Sequence, residues 1–163
     1  MNSYSKDINR YVNAVKEEFK DDVALILIIG SSCSNMVIDN WSDIDSILVL
    51  KEYNFDVIKR IKNIINQFSV KIGTTVFTES EFESKKVDPK VFYHLYLLDK
   101  NQIELQYKRE DFTIPQVSFE EVKANYLLDY YHSKHELKRM FLYNKLEKEK
   151  YRMIFKKVYI IMK

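Results

Sequence analysis

A continuous aliphatic run, Val23 to Ile29, constrains the fold of this chain more than any other feature of its sequence. The run has the length of a strand, and a strand without polar positions is buried on both faces of its sheet. It ends at Gly30, one of only two glycines in 163 residues, so each glycine is expected to have a structural reason. We therefore expect a central buried strand with covering elements on both sides.

The other periodic segments predict helices and strands around this one. Apolar residues recur at helical spacing over residues 5–20 and again after Asn54, which is expected to cap a helix, and Asp88 with Pro89 marks another helix start. Three further strands are predicted, at Ile44–Leu50, Val70–Phe77 and Gln102–Tyr107. This order indicates an α/β (α+β) fold in which helices flank a mixed central sheet.

The chain changes character after Pro115. From Ser118 onward it has no glycine, no proline and no strand-like run, and Tyr, Leu and Lys recur at helical spacing. We therefore predict two parts, a domain at residues 1–117 and a helical C-terminal segment at residues 118–163. The final apolar stripe of that segment consists of Tyr151, Ile154, Phe155, Val158, Tyr159 and Met162. This apolar face must be covered, either by folding back on the α/β core or, as we hypothesise, by self-association or contact with a helical partner protein, and the chain is interpreted as a possible fragment of a longer one.

Charge and cysteine content restrict the classes of protein. Residues 122–163 hold eleven Lys or Arg against four Asp or Glu, which could attract nucleic acid, but their helical spacing is typical of a solvated helix face. The single cysteine, Cys33, excludes an internal disulfide and multi-cysteine zinc patterns, and it is interpreted as a small packed residue. Without a signal peptide or a run long enough to span a bilayer, the chain is expected to be cytoplasmic and without a membrane partner.

Two acids, Asp43 and Asp45, open the second predicted strand. Alternate residues of a strand share a face, so the two carboxylates point the same way. At about 4 Å and an effective dielectric constant near 20, two such charges repel by about 4 kcal/mol. A divalent cation that prefers oxygen ligands relieves this repulsion, and Mg²⁺ carrying nucleotide phosphates fits best. Asp43 and Asp45 are therefore predicted to be metal ligands.

Gly30 and Ser31 complement these acids at the exit of the buried strand. A glycine there lets backbone amides approach phosphate oxygens that a side chain would block, and Ser31 can donate its hydroxyl. Other candidates are weaker: His132 and His135 could share a helix face, but no carboxylate pattern completes a metal site with them. No P-loop or GxGxxG pattern is present.

The segment Ile28-Ile29-Gly30-Ser31, eleven further residues and Asp43-Ile44-Asp45 together resemble the motif of the DNA polymerase beta-like nucleotidyltransferase superfamily. The resemblance covers roughly residues 22–109. It implies that residues 1–117 form a nucleotidyltransferase domain, that Gly30 and Ser31 contact phosphate and that Asp43 and Asp45 are the first two metal-binding acids. Minimal nucleotidyltransferases paired with HEPN proteins, aminoglycoside and lincosamide nucleotidyltransferases and template-independent RNA polymerases share this pattern.

The chain departs from that superfamily in two places. Relatives usually carry a third acid on the next core strand, whereas Val70–Phe77 contains no carboxylate. Glu104, in the last predicted strand, could substitute for it, although strand alternation equally makes Glu104 a solvent-facing residue. The spacer between Ser31 and Asp43 also lacks the small-residue and glycine pattern of many relatives.

The resemblance therefore implies a Mg²⁺-dependent enzyme. It would transfer a nucleoside monophosphate from an NTP, with ATP as the expected substrate, to an acceptor hydroxyl and release pyrophosphate. The incomplete acid set leaves an alternative open: a weak or inactive module of the same fold that binds a partner protein or a nucleotide, as an antitoxin would. The sequence does not identify the acceptor.

Overall fold

A computed structural model describes residues 4–33 and 43–143, together with Ile154 and Val158. Its four strands form one sheet in the order β3-β2-β1-β4. The strands are β1 Val23–Ile29, β2 Ile44–Leu50, β3 Ile72–Thr78 and β4 Leu105–Lys108. β1 runs antiparallel to β2 and β4, whereas β2 and β3 are parallel. The predicted α/β fold with a mixed sheet and flanking helices is confirmed.

Within residues 4–33 and 43–143, the structure has five α-helices: α1 Ser5–Phe19, α2 Phe55–Ile65, α3 Glu79–Glu83, α4 Pro89–Asp99 and α5 Phe119–Tyr143. α1 buries the predicted apolar stripe, which consists of Ile8, Tyr11, Val12, Val15 and Phe19. α2 begins after Asn54, whose side chain accepts hydrogen bonds from the amides of Asp56 and Val57, so the predicted cap is confirmed. α1, α2 and one face of the sheet share a single apolar cluster.

Helix α3 was not predicted, although a local signal for it exists. The hydroxyl of Thr78 accepts a hydrogen bond from the amide of Glu81, and the Glu81 carboxylate accepts one from the amide of Thr78. This reciprocal capping box fixes the start of a helix directly after β3. The helix buries Phe82 against Phe77 and Phe112, with ring centroids 6.1 Å apart in both pairs.

Strands β3 and β4 start later than their sequence patterns predict. β4 starts at Leu105 rather than Gln102 because the chain first turns out of α4. The amides of Asn101 and Gln102 donate to the carbonyls of Leu98 and Leu97, and Asn101 has a positive φ of 55°. Residues committed to this turn cannot pair with β1. β3 starts at Ile72 and ends at Thr78, against the predicted Val70–Phe77.

The described residues form two compact units, each held together by contacts among its own residues. The first contains residues up to Val87 and Leu97–Gln116, and it holds the sheet. The second contains Asp88–Tyr96 and residues from Val117 onward. The division into residues 1–117 and 118–163 stays a prediction. No described helix is both long enough and apolar enough to cross a membrane.

The second unit carries most of the exposed apolar side chains. On α5, Tyr126, Leu127, Leu128, Tyr131 and Leu142 are exposed, and the rings of Tyr96 and Phe119 lie tilted against each other with centroids 6.0 Å apart. In the predicted C-terminal stripe, Ile154 is buried and Val158 is half-buried, and the other four residues lie outside the described part of the chain. The proposed partner role of that stripe therefore stays a prediction.

Candidate functional site

The candidate site lies where β1 ends and β2 begins. Ile29, the last residue of β1, pairs with Asp45 on β2, and Gly73 on β3 pairs with Asp45 from the other side. Residues directly opposite each other in a sheet point to the same face. The two neighbouring strands therefore place an aliphatic residue and a glycine beside the Asp45 side chain.

The only two glycines of the chain lie against the Asp45 carboxylate. A Cβ atom on Gly30 would lie 3.0 Å from Oδ2 of Asp45, and one on Gly73 would lie 2.9 Å from Oδ1. Gly30 also has a φ of +74°, which L-residues with side chains rarely adopt. Neither position can take a side chain unless the Asp45 carboxylate moves. This close approach is a structural reason for each of the two glycines.

Asp43 forms an ion pair that the sequence analysis did not predict. Nζ of Lys71 lies 3.0 Å from Oδ2 of Asp43, and the amide of Ile44 donates to the carbonyl of Lys71 at 2.9 Å. That backbone bond sets the register at which Asp43 faces Lys71. The Asp43 side chain is 17% exposed, whereas that of Lys71 is 76% exposed, so the ammonium group remains accessible to solvent. Such a pair contributes little to stability.

A hydroxyl network supports the site from the opposite face of the sheet. The Tyr11 hydroxyl lies 3.1 Å from Oγ of Ser46 and 2.9 Å from Oγ1 of Thr74, and the two strand hydroxyls are 3.0 Å apart. Tyr11 and Ser46 are buried, and burial raises the pKa of the Tyr11 hydroxyl despite these hydrogen bonds. The network ties α1 to the two strands immediately behind Asp45 and Gly73.

Gly30, Asp43 and Asp45, three of the four predicted site residues, meet at this end of the sheet. Ser31 lies in the 3₁₀ turn Gly30–Cys33, but its side chain is outside the described part of the structure, as are residues 34–42 and the side chain of Cys33. The neighbouring Ser32 is buried, and its hydroxyl donates to the carbonyl of Ile29 at 2.9 Å, closing the end of β1. The assignment of site residues stays a prediction.

Glu104 does not join the acid pair. It is exposed and precedes β4, which lies beyond β1 from β2, a separation of about two strand spacings or roughly 10 Å. Among the described residues, no three His, Cys, Asp or Glu side chains lie close enough together to hold a metal ion. Glu104 is therefore not the third ligand. His132 and His135 are exposed on α5.

Sequence reasoning missed Lys71 and Gly73, which belong to this site. They have the same spacing as Asp43 and Asp45, and β3 runs parallel to β2, so the two pairs face each other. The sequence does show that Lys71 and Gly73 are two residues apart, as Asp43 and Asp45 are. This equal spacing places the two pairs side by side only if the register between β2 and β3 is known, and helix α2 separates these strands in the sequence.

Three solved nucleotide-handling proteins resemble this chain in structure. Spectinomycin adenyltransferase AAD(9) from Enterococcus faecialis, solved with ATP and spectinomycin, is 15% identical with a TM-score of 0.56, covering 83% of this chain and 68% of that chain. A candidate nucleotidyltransferase from Sulfolobus solfataricus is 20% identical with a TM-score of 0.41, and the match covers 71% of this chain and 96% of that chain. The CdnE cyclic dinucleotide synthase from Elizabethkingia meningoseptica, solved with GTP and Apcpp, is 13% identical with a TM-score of 0.31, and the match covers 80% of this chain and 78% of that chain.

The likeness to the adenyltransferase shows the fold. This chain has the nucleotidyltransferase fold, and the resemblance read from its motif is confirmed at that level. No protein-family model matches the chain, and no curated protein matches its sequence.

Proposed function

We propose that this chain, which has the nucleotidyltransferase fold, binds a nucleoside triphosphate with Mg²⁺ through Gly30, Ser31, Asp43 and Asp45. It then transfers the nucleoside monophosphate to an acceptor hydroxyl. The observation that supports this best is the placement of Asp45: its carboxylate occupies space that two glycines leave free, and Asp43 lies two residues away at the same sheet end. A carboxylate that only faced solvent would not require a glycine on either side.

The donor set fits Mg²⁺. The two acids offer carboxylate oxygens, which this ion prefers, and it is commonly held by one or two carboxylates together with substrate phosphates. Bound there, Mg²⁺ would offset the phosphate charge and polarise the phosphate under attack. Asp43 and Asp45 would hold the ion, and the buried hydroxyl network behind them would keep their strand in place.

Gly30 would position the phosphates. Its missing side chain and positive φ leave the backbone open at the exit of β1, where amide groups can approach phosphate oxygens. The hydroxyl of Ser31, the next residue, is the proposed side-chain donor. In the transfer, the acceptor oxygen bonds to the α-phosphorus while the bond to the bridging oxygen breaks. Pyrophosphate leaves, and the acceptor proton passes to solvent.

A second candidate function is nucleotide binding without turnover. It is supported by β3, which brings an ammonium group and a glycine to the site instead of a carboxylate. Among the described residues, no third acid lies close enough to Asp43 and Asp45 to hold a metal ion together with them. A module of this kind would act by binding a nucleotide or a partner protein.

Two measurements on the wild-type chain separate these functions. Nucleotide affinity is measured for each NTP with and without Mg²⁺, and pyrophosphate release is followed with a panel of hydroxyl-bearing acceptors. Mg²⁺-dependent binding with pyrophosphate release supports the transferase, and binding without release across the panel supports the module. No binding of any NTP in the presence of Mg²⁺ would show both the transferase and the nucleotide-binding module to be wrong, and would leave only a module that binds a partner protein.

A further inference from the structure

Lys71 is the cationic side chain that β3 brings to the acid pair. Lys71 immediately precedes β3, the strand that pairs with β2 in parallel, and its ammonium nitrogen lies 3.0 Å from Oδ2 of Asp43. The side chain is 76% exposed, so it is not packed into the position that it occupies. A lysine of this kind has a flexible four-carbon stem and can exchange one anionic partner for another at little cost.

Position 73 cannot supply a further ligand from the same strand. Gly73 is the residue of β3 that pairs with Asp45, and any Cβ there would lie 2.9 Å from Oδ1 of Asp45. This contact is shorter than real Cβ atoms make, so a side chain at position 73 would displace the carboxylate. The strand therefore contributes one functional group to this end of the sheet, and that group is positive.

The charges then favour one divalent cation. Asp43 and Asp45 carry two negative charges, and the ammonium group of Lys71 offsets one of them. A single Mg²⁺ uses the carboxylate oxygens and leaves the site positive enough for a phosphate chain. A second divalent ion would require ligands of its own beyond these two carboxylates, and among the described residues no third acid lies close enough to supply one.

We infer that Lys71 is a nucleotide-binding residue that replaces a second metal ion: when one divalent cation takes up the Asp43 carboxylate, the ammonium group turns to a phosphate of the nucleotide. The inference rests on the proposed function, because it assigns a role to Lys71 in binding the same nucleotide. Lys71 thus competes with the metal in the free protein and assists the nucleotide in the complex.

These two roles predict opposite effects of one substitution. In Lys71→Gln without nucleotide, Mn²⁺ should bind up to about fivefold more tightly, because a partly exposed competing ion pair is lost. The same variant should bind a non-hydrolysable ATP analogue with Mn²⁺ about tenfold or more weakly, because a charged hydrogen bond to phosphate is lost. Lys71→Arg keeps the charge and should retain most of the nucleotide affinity.

The matched control is Lys51→Gln. Lys51 is also a lysine in an exposed ion pair, 3.9 Å from Asp22, but it follows β2 at the end of the strand opposite to Asp43. This variant should leave both affinities unchanged. Thermal unfolding of all the variants checks that each is folded.

The number of bound ions gives an independent readout. Electron paramagnetic resonance with one equivalent of the ATP analogue should count one Mn²⁺ per complex. Two ions, or an unchanged nucleotide affinity in Lys71→Gln, would overturn the inference about Lys71 while leaving the proposed function standing. Failure of the proposed function is recognised separately on the wild-type chain, which would then bind no nucleotide or would release no pyrophosphate across the acceptor panel.

Discussion

Gly73 and Asp45 are fitted to each other across two parallel strands. They pair in the register of β2 and β3, and a Cβ atom on Gly73 would lie 2.9 Å from Oδ1 of Asp45. Gly30 has the same relationship with the second oxygen of that carboxylate, at 3.0 Å. The backbone of β3 and of the turn that follows β1 therefore limits where this side chain can lie.

Gly73→Ala should disturb the carboxylate more than the fold. The new methyl group must displace the Asp45 carboxylate. Because the displaced atoms are the end of a half-buried side chain, and alanine is favoured over glycine within a strand by about 0.5–1 kcal/mol, the free energy of unfolding should change little. We therefore expect a nearly unchanged midpoint of urea unfolding and a weaker affinity for Mn²⁺. Thr75→Ala is the control, because Thr75 is an exposed residue two positions further along β3 and should change neither quantity. Unchanged Mn²⁺ affinity in Gly73→Ala would contradict the fit described above.

Asp43→Asn and Asp45→Asn should each abolish Mg²⁺-dependent nucleotide binding. The carboxamide keeps the shape of the side chain but removes the charge that binds a hard cation. Nucleotide affinity is measured by titration with and without Mg²⁺, and circular dichroism checks the fold. Glu104→Gln is the matched control, since it neutralises an exposed acid near the same sheet but outside the pair. Wild-type affinity in both asparagine variants would show that the site is misassigned.

Tyr11→Phe should destabilise the protein at neutral pH by about 1–2 kcal/mol, because Ser46 and Thr74 lose a buried hydrogen-bond partner. Burial raises the pKa of Tyr11 in the folded state above its ordinary value of 10.0. The corresponding stability is fully present below pH 10 and is lost as the pH rises through the folded-state pKa. Urea unfolding from pH 8 to 11 should show a steeper alkaline loss for the wild type than for Tyr11→Phe. Parallel loss in the two proteins would contradict the burial of a neutral hydroxyl.

His94 predicts a loss of stability in mild acid. Burial, aided by the nearby Lys90, lowers the pKa of His94 from 6.5 to about 4. Among the described residues, its buried Nδ1 has no hydrogen-bond partner. Because the unfolded chain takes up the proton first, stability should fall as the pH drops from 6.5 to about 4, by up to about 3 kcal/mol.

The variant that tests this is His94→Leu, which cannot take up a proton and leaves no unpaired nitrogen in α4. Its unfolding free energy, measured between pH 7 and pH 4, should vary less than that of the wild type. An equal pH dependence of the two proteins would assign the acid sensitivity to other groups.

The sequence predicted those parts of the fold in which local pattern and burial agree. β1 and β2 have the bounds expected of their aliphatic runs, and Asn54 caps α2 as its side-chain chemistry requires. Strand β4 was placed too early because Asn101, in a left-handed turn, keeps the chain out of the sheet. Such a turn depends on how α4 ends. The alternation of polar and apolar residues, from which the strand was predicted, carries no information about that helix end.

The residues of the candidate site likewise fall into those that the sequence predicted and those that only the structure reveals. Gly30, Asp43 and Asp45 form a motif with a fixed spacing, so the sequence brings them together without knowledge of the fold. Lys71 and Gly73 reach the site only through the parallel pairing of β3 with β2. This pairing depends on contacts between segments separated by a helix, and no local pattern encodes it.

The hydroxyl network behind the site also bears on how the sheet assembles. A slip of one residue in the pairing of a strand turns every side chain to the other face. In β2, such a slip would turn Asp45 into the apolar core and Ser46 out to the site. Tyr11 and Thr74 bind Ser46 on the core side in the native register, so the slipped strand would lose these hydrogen bonds and bury a charge instead. The three hydroxyls therefore stabilise the native register of β2 relative to the slipped one, so that the carboxylates face outward.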